Sequence, residues 1–358
     1  MKRTQAAAAA IAVVVLFSAI YFFYPKATEP STLKIFCAGS LLYPLQRVGE
    51  AYTKANPSVK VEVEGHGSIQ VIREITELHS TADILMVADY SLIPVMMYNL
   101  TVAETGRKYA TWCIRFSGNS LVLAYTEKSK YTNEVNANNW YEILGRQGVK
   151  YGTPNPMIDA LGYRSLMTLQ LAEYYYGDSG IFEKIFGSNF DPVFQSVALP
   201  NRTVIFVPEV QKPANDKVIL RASSIQLAPL LELGTIDYAF LYLSNARQYG
   251  FKYVDLPSEI DLSSEAEADG YERVEVRFLQ QRFGSITLNR EGKTVQYGLT
   301  IPSTAMNVVE AERFTEYLLN GEGRTVFGSL WHPIYVPCYA DNVAAVPERV
   351  RSVVRQEP

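Results

Sequence analysis

Apolar and polar positions along this chain switch repeatedly between a strand-like and a helix-like period. Leu33–Cys37 is an apolar run of strand length, followed by Ala38-Gly39-Ser40 and a helical pattern from Leu42 to about Ala55 that Asn56-Pro57 stops. Val59–Glu64 alternates like a strand, Gly65-His66-Gly67-Ser68 interrupts it, and a second helical pattern reaches His79. Ala82–Val87 reads as the next strand, Leu121–Tyr125 as another, and Trp140–Leu144 as a short helix. Beyond the turn-rich Thr153–Pro156 a helix is predicted from about Gly162 to Tyr175. Val204–Pro213 reads as an extended, proline-punctuated connection, Ile225–Leu233 as a helix ended by Gly234, and Asp237–Tyr242 as a strand. Ser263–Gly270, acidic and poor in apolar residues, reads as a surface loop; Val274–Phe278 and Val295–Ile301 read as strands, and Val309–Leu319 as a helix. Strands alternating with helices predict an α/β fold with a largely parallel sheet, most simply two α/β lobes with a cleft between them.

The N-terminus follows another rule. Lys2 and Arg3 precede an uncharged stretch from Ala6 to Phe23, and Lys26 closes it. About 18 residues at 1.5 Å rise span ~27 Å, close to the ~30 Å of a bilayer's hydrocarbon core. The run is longer than the apolar part of an export signal and ends in bulky aromatic residues, so an uncleaved anchor is favoured over a removed signal. The basic start places the N-terminus inside and the bulk of the chain outside. Residues 1–31 are therefore read as an anchor or signal segment with a short linker, and the remainder as extracytoplasmic.

Composition narrows the function by exclusion. The 358 residues suffice for about two domains, and 48% apolar residues exclude a disordered chain. With 33 basic and 37 acidic residues the net charge is −4, which argues against a nucleic-acid partner. Cys37, Cys113 and Cys338 are too few for a disulfide scaffold and read as buried thiols, or as one bridge and a spare. Asn99-Leu100-Thr101 and Asn201-Arg202-Thr203 are glycosylation-type tripeptides compatible with export. His66, His79 and His332 have no zinc spacing, and no paired base and nucleophile is evident, so the chain is read as a non-enzyme without a cofactor.

The candidate chemistry lies where helices begin. Gly39-Ser40 and Gly67-Ser68 each stand at the junction of a strand and a helix; Asp159 precedes the helix of Gly162-Tyr163-Arg164, and Ser223-Ser224 opens the helix ended by Gly234. A helix start carries unpaired N–H groups and partial positive charge, and so receives an anion without lysine or arginine. The alternative is that these residues are simply caps. If all four starts face one cleft, they surround a small oxyanion. About six charge-assisted hydrogen bonds at ~1.5–3 kcal/mol each reach, before association costs, the ~12 kcal/mol of nanomolar binding.

These stretches resemble the archaeal tungstate/molybdate-binding proteins of ABC transporters, the WtpA/ModA type. The matching segments include Ala38-Gly39-Ser40, residues 72–79, Ala88-Asp89-Tyr90-Ser91-Leu92-Ile93-Pro94, Leu123–Thr126, Asn139–Leu144, Asp159 with Gly162-Tyr163-Arg164-Ser165, and Asp237–Phe240, spread between about Thr32 and Asp341. The resemblance implies a periplasmic-binding-protein fold, two α/β lobes joined by two chain crossings, with lobe I over 32–113 and 254–345 and lobe II over 114–253. It implies an extracytoplasmic solute-binding protein, by default a monomer, that delivers tungstate or molybdate to a permease in the membrane. It places ligand contacts at Gly39, Ser40, Ser68, Met157, Ile158, Asp159, Ser224 and Tyr242. In such proteins the metal often takes two protein carboxylates beside four oxo groups. Asp159 matches the first; where the second, a glutamate, is usual, this chain has Ser224, and Glu232 is about two helical turns away. Leu243-Ser244-Asn245 and Ala160-Leu161 also depart from the usual pattern. One carboxylate leaves two modes open: a tetrahedral anion held by hydrogen bonds, or a five-coordinate metal bonded to Asp159. The readings set beside it are a binder of sulfate or phosphate, an enzyme acting on an oxyanion ester, and a surface interaction protein with a vestigial cleft.

Overall fold

The structure, a computed structural model, describes residues 30–279 and 289–357. The membrane segment expected over Ala6–Phe23 lies outside the described residues, and no described helix is long and apolar enough to cross a membrane.

Three sheets organise the chain. The first has seven strands in the order Val354–Gln356, Ile334–Ala340, Ile114–Gly118, Gln296–Thr300, Ile84–Val87, Ser31–Ala38 and Val59–His66. The second has five, in the order Lys252–Asp255, Leu121–Tyr125, Tyr238–Tyr242, Tyr151–Pro154 and Val218–Arg221. The chain thus passes from one sheet to the other at Asn119-Ser120, and Gln296–Thr300 brings it back to the first.

The sheets are mixed, where the alternating pattern predicted a largely parallel arrangement. Ser31–Ala38 runs parallel to both its neighbours, but Gln296–Thr300 is antiparallel to Ile84–Val87 and to Ile114–Gly118. Around Ser31–Ala38 the parallel neighbours Val59–His66 and Ile84–Val87 are the next two strands of the chain, each reached through a helix, whereas the antiparallel partners there come from distant segments that local periodicity does not orient. A third, four-stranded sheet was not foreseen. It joins Asn289–Glu291, Val274–Phe278, Thr203–Val207 and Gln195–Ala198, so part of the expected connection after Val204 is a strand. The expected loop Ser263–Gly270 instead contains a turn of 3-10 helix and the start of helix Ala268–Tyr271.

Two long helices carry the site. Gly39–Ala55 buries Leu41, Leu45, Val48 and Tyr52, an amphipathic spacing that packs it on the seven-stranded sheet. Ala160–Tyr176 is buried continuously from Ala160 to Ala172 and ends at Gly177, whose φ of 71° closes the helix in the left-handed region. Cys37, Cys113 and Cys338 are all buried free thiols, the first of the two alternatives.

Candidate functional site

The four predicted helix starts meet. Gly39 opens its helix directly after Ala38, and Gly67 stands before helix Ser68–Thr76. Neither serine is the capping residue. The cap positions are Ala38 and Gly67, which make no side-chain cap bond, so both hydroxyls are left for other partners. Ser68 Oγ accepts the Ala88 N–H at 3.1 Å, and Ser40 Oγ accepts from the Tyr297 hydroxyl at 3.3 Å. Both serines are buried.

From the five-stranded side, Asp159 caps the helix Ala160–Tyr176: its Oδ1 accepts the Leu161 N–H at 2.8 Å. Its Oδ2 accepts the Ser224 N–H at 3.0 Å, which ties the third helix start to the fourth. Ser224 begins a 3-10 turn that leads into helix Ala228–Leu233. The two halves approach closely at glycines. A Cβ on Gly39 would lie 3.4 Å from Ser224 Oγ, and one on Gly67 only 2.2 Å from the Ile158 carbonyl oxygen. That carbonyl also accepts the N–H groups of Ile69 and Gln70, at 3.1 and 3.3 Å.

Met157 and Ile158 contribute differently from a free amide pair. The Met157 N–H donates to Asn155 Oδ1 at 2.8 Å, and those of Ile158 and Asp159 donate to the Asn155 carbonyl at 3.2 and 3.0 Å. Asn155 thereby holds this turn as a unit, and Ile158 offers its carbonyl across the interface. Glu232 is exposed, on the last turn of the helix that follows Ser224.

A buried polar ring completes the site. Arg164 donates from one guanidinium nitrogen to the Ala88 carbonyl at 2.7 Å and to the Tyr242 hydroxyl at 2.8 Å. Tyr242 faces Tyr297 with ring centroids 6.0 Å apart, and Asn119 Nδ2 donates to the Tyr297 hydroxyl at 3.0 Å. Asn245 Nδ2 donates to the Ser40 carbonyl at 3.1 Å. This last bond has a cause in the sequence. Pro44 lies inside the first helix and has no N–H for the carbonyl four residues before it, so Ser40 takes its donor from elsewhere.

The electrostatics follow from burial. Burial pushes the Asp159 carboxyl up to about 6, opposed by the Ser224 and Leu161 amides and by the Arg164 charge. Burial also raises the Tyr242 hydroxyl, which Arg164 only partly offsets, so Tyr242 stays a neutral donor at physiological pH. His332, fully buried against Tyr297 and Phe327, is lowered by burial to about 3 and is neutral. Helix starts, hydroxyls and a guanidinium, all buried here, suit a compact oxyanion.

Arg164, Tyr297, Asn119 and Asn245 join the site without having been among its predicted residues. Arg164 had a signal, a lone cation inside the apolar stretch Ala160–Ala172. Tyr297 had none, since it reaches Ser40 from 257 positions away.

Against known proteins, a family model described as bacterial extracellular solute-binding protein matches residues 33–329. An uncharacterized solute-binding protein of Methanococcus maripaludis is 38% identical over 332 residues, covering 91% of this chain and 89% of that one. The molybdate/tungstate-binding protein WtpA of Thermococcus kodakarensis is 36% identical, covering 91% and 88%. Among solved structures, the periplasmic molybdate-binding protein of Azotobacter vinelandii aligns with a TM-score of 0.53 at 14% identity, over 84% of this chain and 98% of that one. This last likeness establishes the two-lobed fold.

Proposed function

This chain belongs to the bacterial extracellular solute-binding proteins, and we propose that it captures tungstate or molybdate outside the cytoplasm and delivers the anion to an ABC-transporter permease. The observation that carries this reading is the convergence of the helix starts at Gly39, Ser68 and Ala160 with the Ser224 turn around buried Asp159. The name of the Thermococcus kodakarensis relative supports the choice of anion. Gly39, Ser40, Ser68, Asp159, Ser224 and Tyr242 are the proposed contacts, with Met157 and Ile158 supporting Asp159 as one turn. The protein uses no cofactor and catalyses no reaction; its work is closure of two lobes, a hinge motion that a permease can read. It acts as a monomer held at the membrane by its N-terminal segment. We draw the lobe limits by sheet membership, with one lobe ending at Gly118 and resuming by Gln296, and the crossings at Asn119-Ser120 and after Asp255.

Ser224 favours a second reading of the same site. It stands where the resemblance places a second carboxylate, and its N–H is donated to Asp159. Without that second carboxylate, selection for a metal able to expand its coordination is weaker, and sulfate or phosphate becomes a competitor.

Calorimetric titration of the full-length chain with tungstate, molybdate, sulfate and phosphate tests both readings. Tight binding of tungstate or molybdate, lost in Asp159→Ala, is the expected result. Equal affinity for sulfate would select the second reading, and no heat with any of the four would overturn both.

A further inference from the structure

The edge of the seven-stranded sheet carries a cluster that the anion site does not use. Val59–His66 is the outermost strand on that side, and Glu64 and His66, two residues apart, share one of its faces. The chain then turns at Gly67 into helix Ser68–Thr76, whose Glu74 comes back over the same strand end. His66 Nε2 lies 3.2 Å from Glu64 Oε1 and 3.9 Å from Glu74 Oε1, and the three ligand atoms are all within 4.8 Å of one another. Zinc bonds of ~2.0–2.1 Å in a tetrahedron place neighbouring ligand atoms about 3.3 Å apart, so small side-chain rotations bring these three to bonding positions.

From these distances we propose that Glu64, His66 and Glu74 form a divalent-cation site of the zinc class, with water at the fourth position. The surroundings are suited to it. Gln70 Nε2 donates to Glu74 Oε1 at 3.0 Å and fixes that carboxylate, as outer hydrogen bonds commonly orient metal ligands. Lys34 Nζ approaches the other oxygen of Glu64, Oε2, at 3.8 Å, leaving Oε1 toward His66. Two carboxylates and one neutral imidazole give a mixed oxygen and nitrogen set that balances the charge of a divalent ion. All three side chains are reached by solvent, which supplies the remaining ligand. A bound ion joins the end of the strand to the helix and so braces the Gly67-Ser68 corner between them.

The assignment is tested with zinc chloride on the full-length chain, in a buffer free of oxyanions and chelators, which makes the result independent of the anion reading. The chain contains three histidines, His332 is buried, and His79 serves as the control. The expected result is one zinc per chain and a higher melting temperature, both reversed by a chelator, unchanged in His79→Ala and absent in His66→Ala and in Glu74→Gln. Cobalt in place of zinc should show the intense visible absorption of a four-coordinate ion in the wild type and lose it in His66→Ala. Because both replaced side chains are solvent-reached, circular dichroism should report folded variants. No zinc binding, or the same stoichiometry in His66→Ala as in the wild type, would overturn the proposal.

Discussion

Asp159 concentrates the chemistry of the site in one side chain. Its two oxygens serve different elements, Oδ1 the start of its own helix and Oδ2 the Ser224 turn, so it is at once a cap and a bridge. Because burial lifts its pKa from 3.8 to about 6, the folded protein holds this proton more tightly than the unfolded chain. The sign of the linkage follows. As pH rises from about 4 to about 6 the unfolded chain gives up the proton first, so stability from this group falls across that window and stays low above it. The anion-free wild type should therefore gain stability relative to Asp159→Asn on acidification from about pH 7 to about pH 5. Thermal melts of both proteins at the two pH values check this. An unchanged difference would mean that Asp159 titrates as it does in the unfolded chain.

At the scale of elements, two helix starts are brought within contact distance of a facing segment because glycine stands at the meeting points. Gly67 has an ordinary backbone conformation, φ −64° and ψ 146°, so its need is for space. A Cβ there would collide with the Ile158 carbonyl at 2.2 Å and displace the bonds that Ile69 and Gln70 make to it. Gly67→Ala should leave each sheet intact yet weaken anion affinity at least about tenfold, ~1.4 kcal/mol, as read by titration calorimetry. Wild-type affinity in this variant would show that the close approach is dispensable. Most of these elements were legible in the sequence, because their apolar spacing is local. The helices from Gly39 and Ala160 begin within three residues of their predicted starts, since Gly and Asp mark them. The serines were legible as positions but not as roles: each was weighed as a cap, yet Ala38 and Gly67 occupy those places. The third sheet was not legible, since Thr203–Val207 pairs with Val274–Phe278 across some seventy residues, a partnership no local pattern encodes.

At the scale of the whole molecule, the question is what keeps the two halves together around the anion. Beside the site, Asp89 comes from the turn after strand Ile84–Val87, whereas Tyr163 and Arg164 come from the helix that follows Tyr151–Pro154 in the other sheet. The Tyr163 hydroxyl donates to Asp89 Oδ2 at 2.6 Å, and Arg164 and Arg290 stand 4.0 and 3.8 Å from the same carboxylate. Arg290, from the third sheet, also donates to Ser91 Oγ at 3.0 Å. Burial alone would raise the Asp89 carboxyl, but the two guanidinium groups, with hydrogen bonds from Ser91 and Tyr163, outweigh it and hold the carboxyl below its usual range. Asp89 is thus ionised and is the shared counter-charge of two buried cations from the facing side. Under the proposed hinge motion, opening separates these charges, and the cluster is then expected to act as a clasp on the closed form and to leave the first encounter with the anion untouched. Removing one partner of a buried ionic cluster is costly because the others stay buried and uncompensated. Asp89→Asn, nearly the same in shape, should speed anion release about tenfold or more and leave the association rate little changed, as affinity changes within one complex mostly appear in dissociation. Stopped-flow measurement of intrinsic tryptophan fluorescence separates the two rates. A slower association with unaltered release would place the clasp in the open form and reverse its assignment.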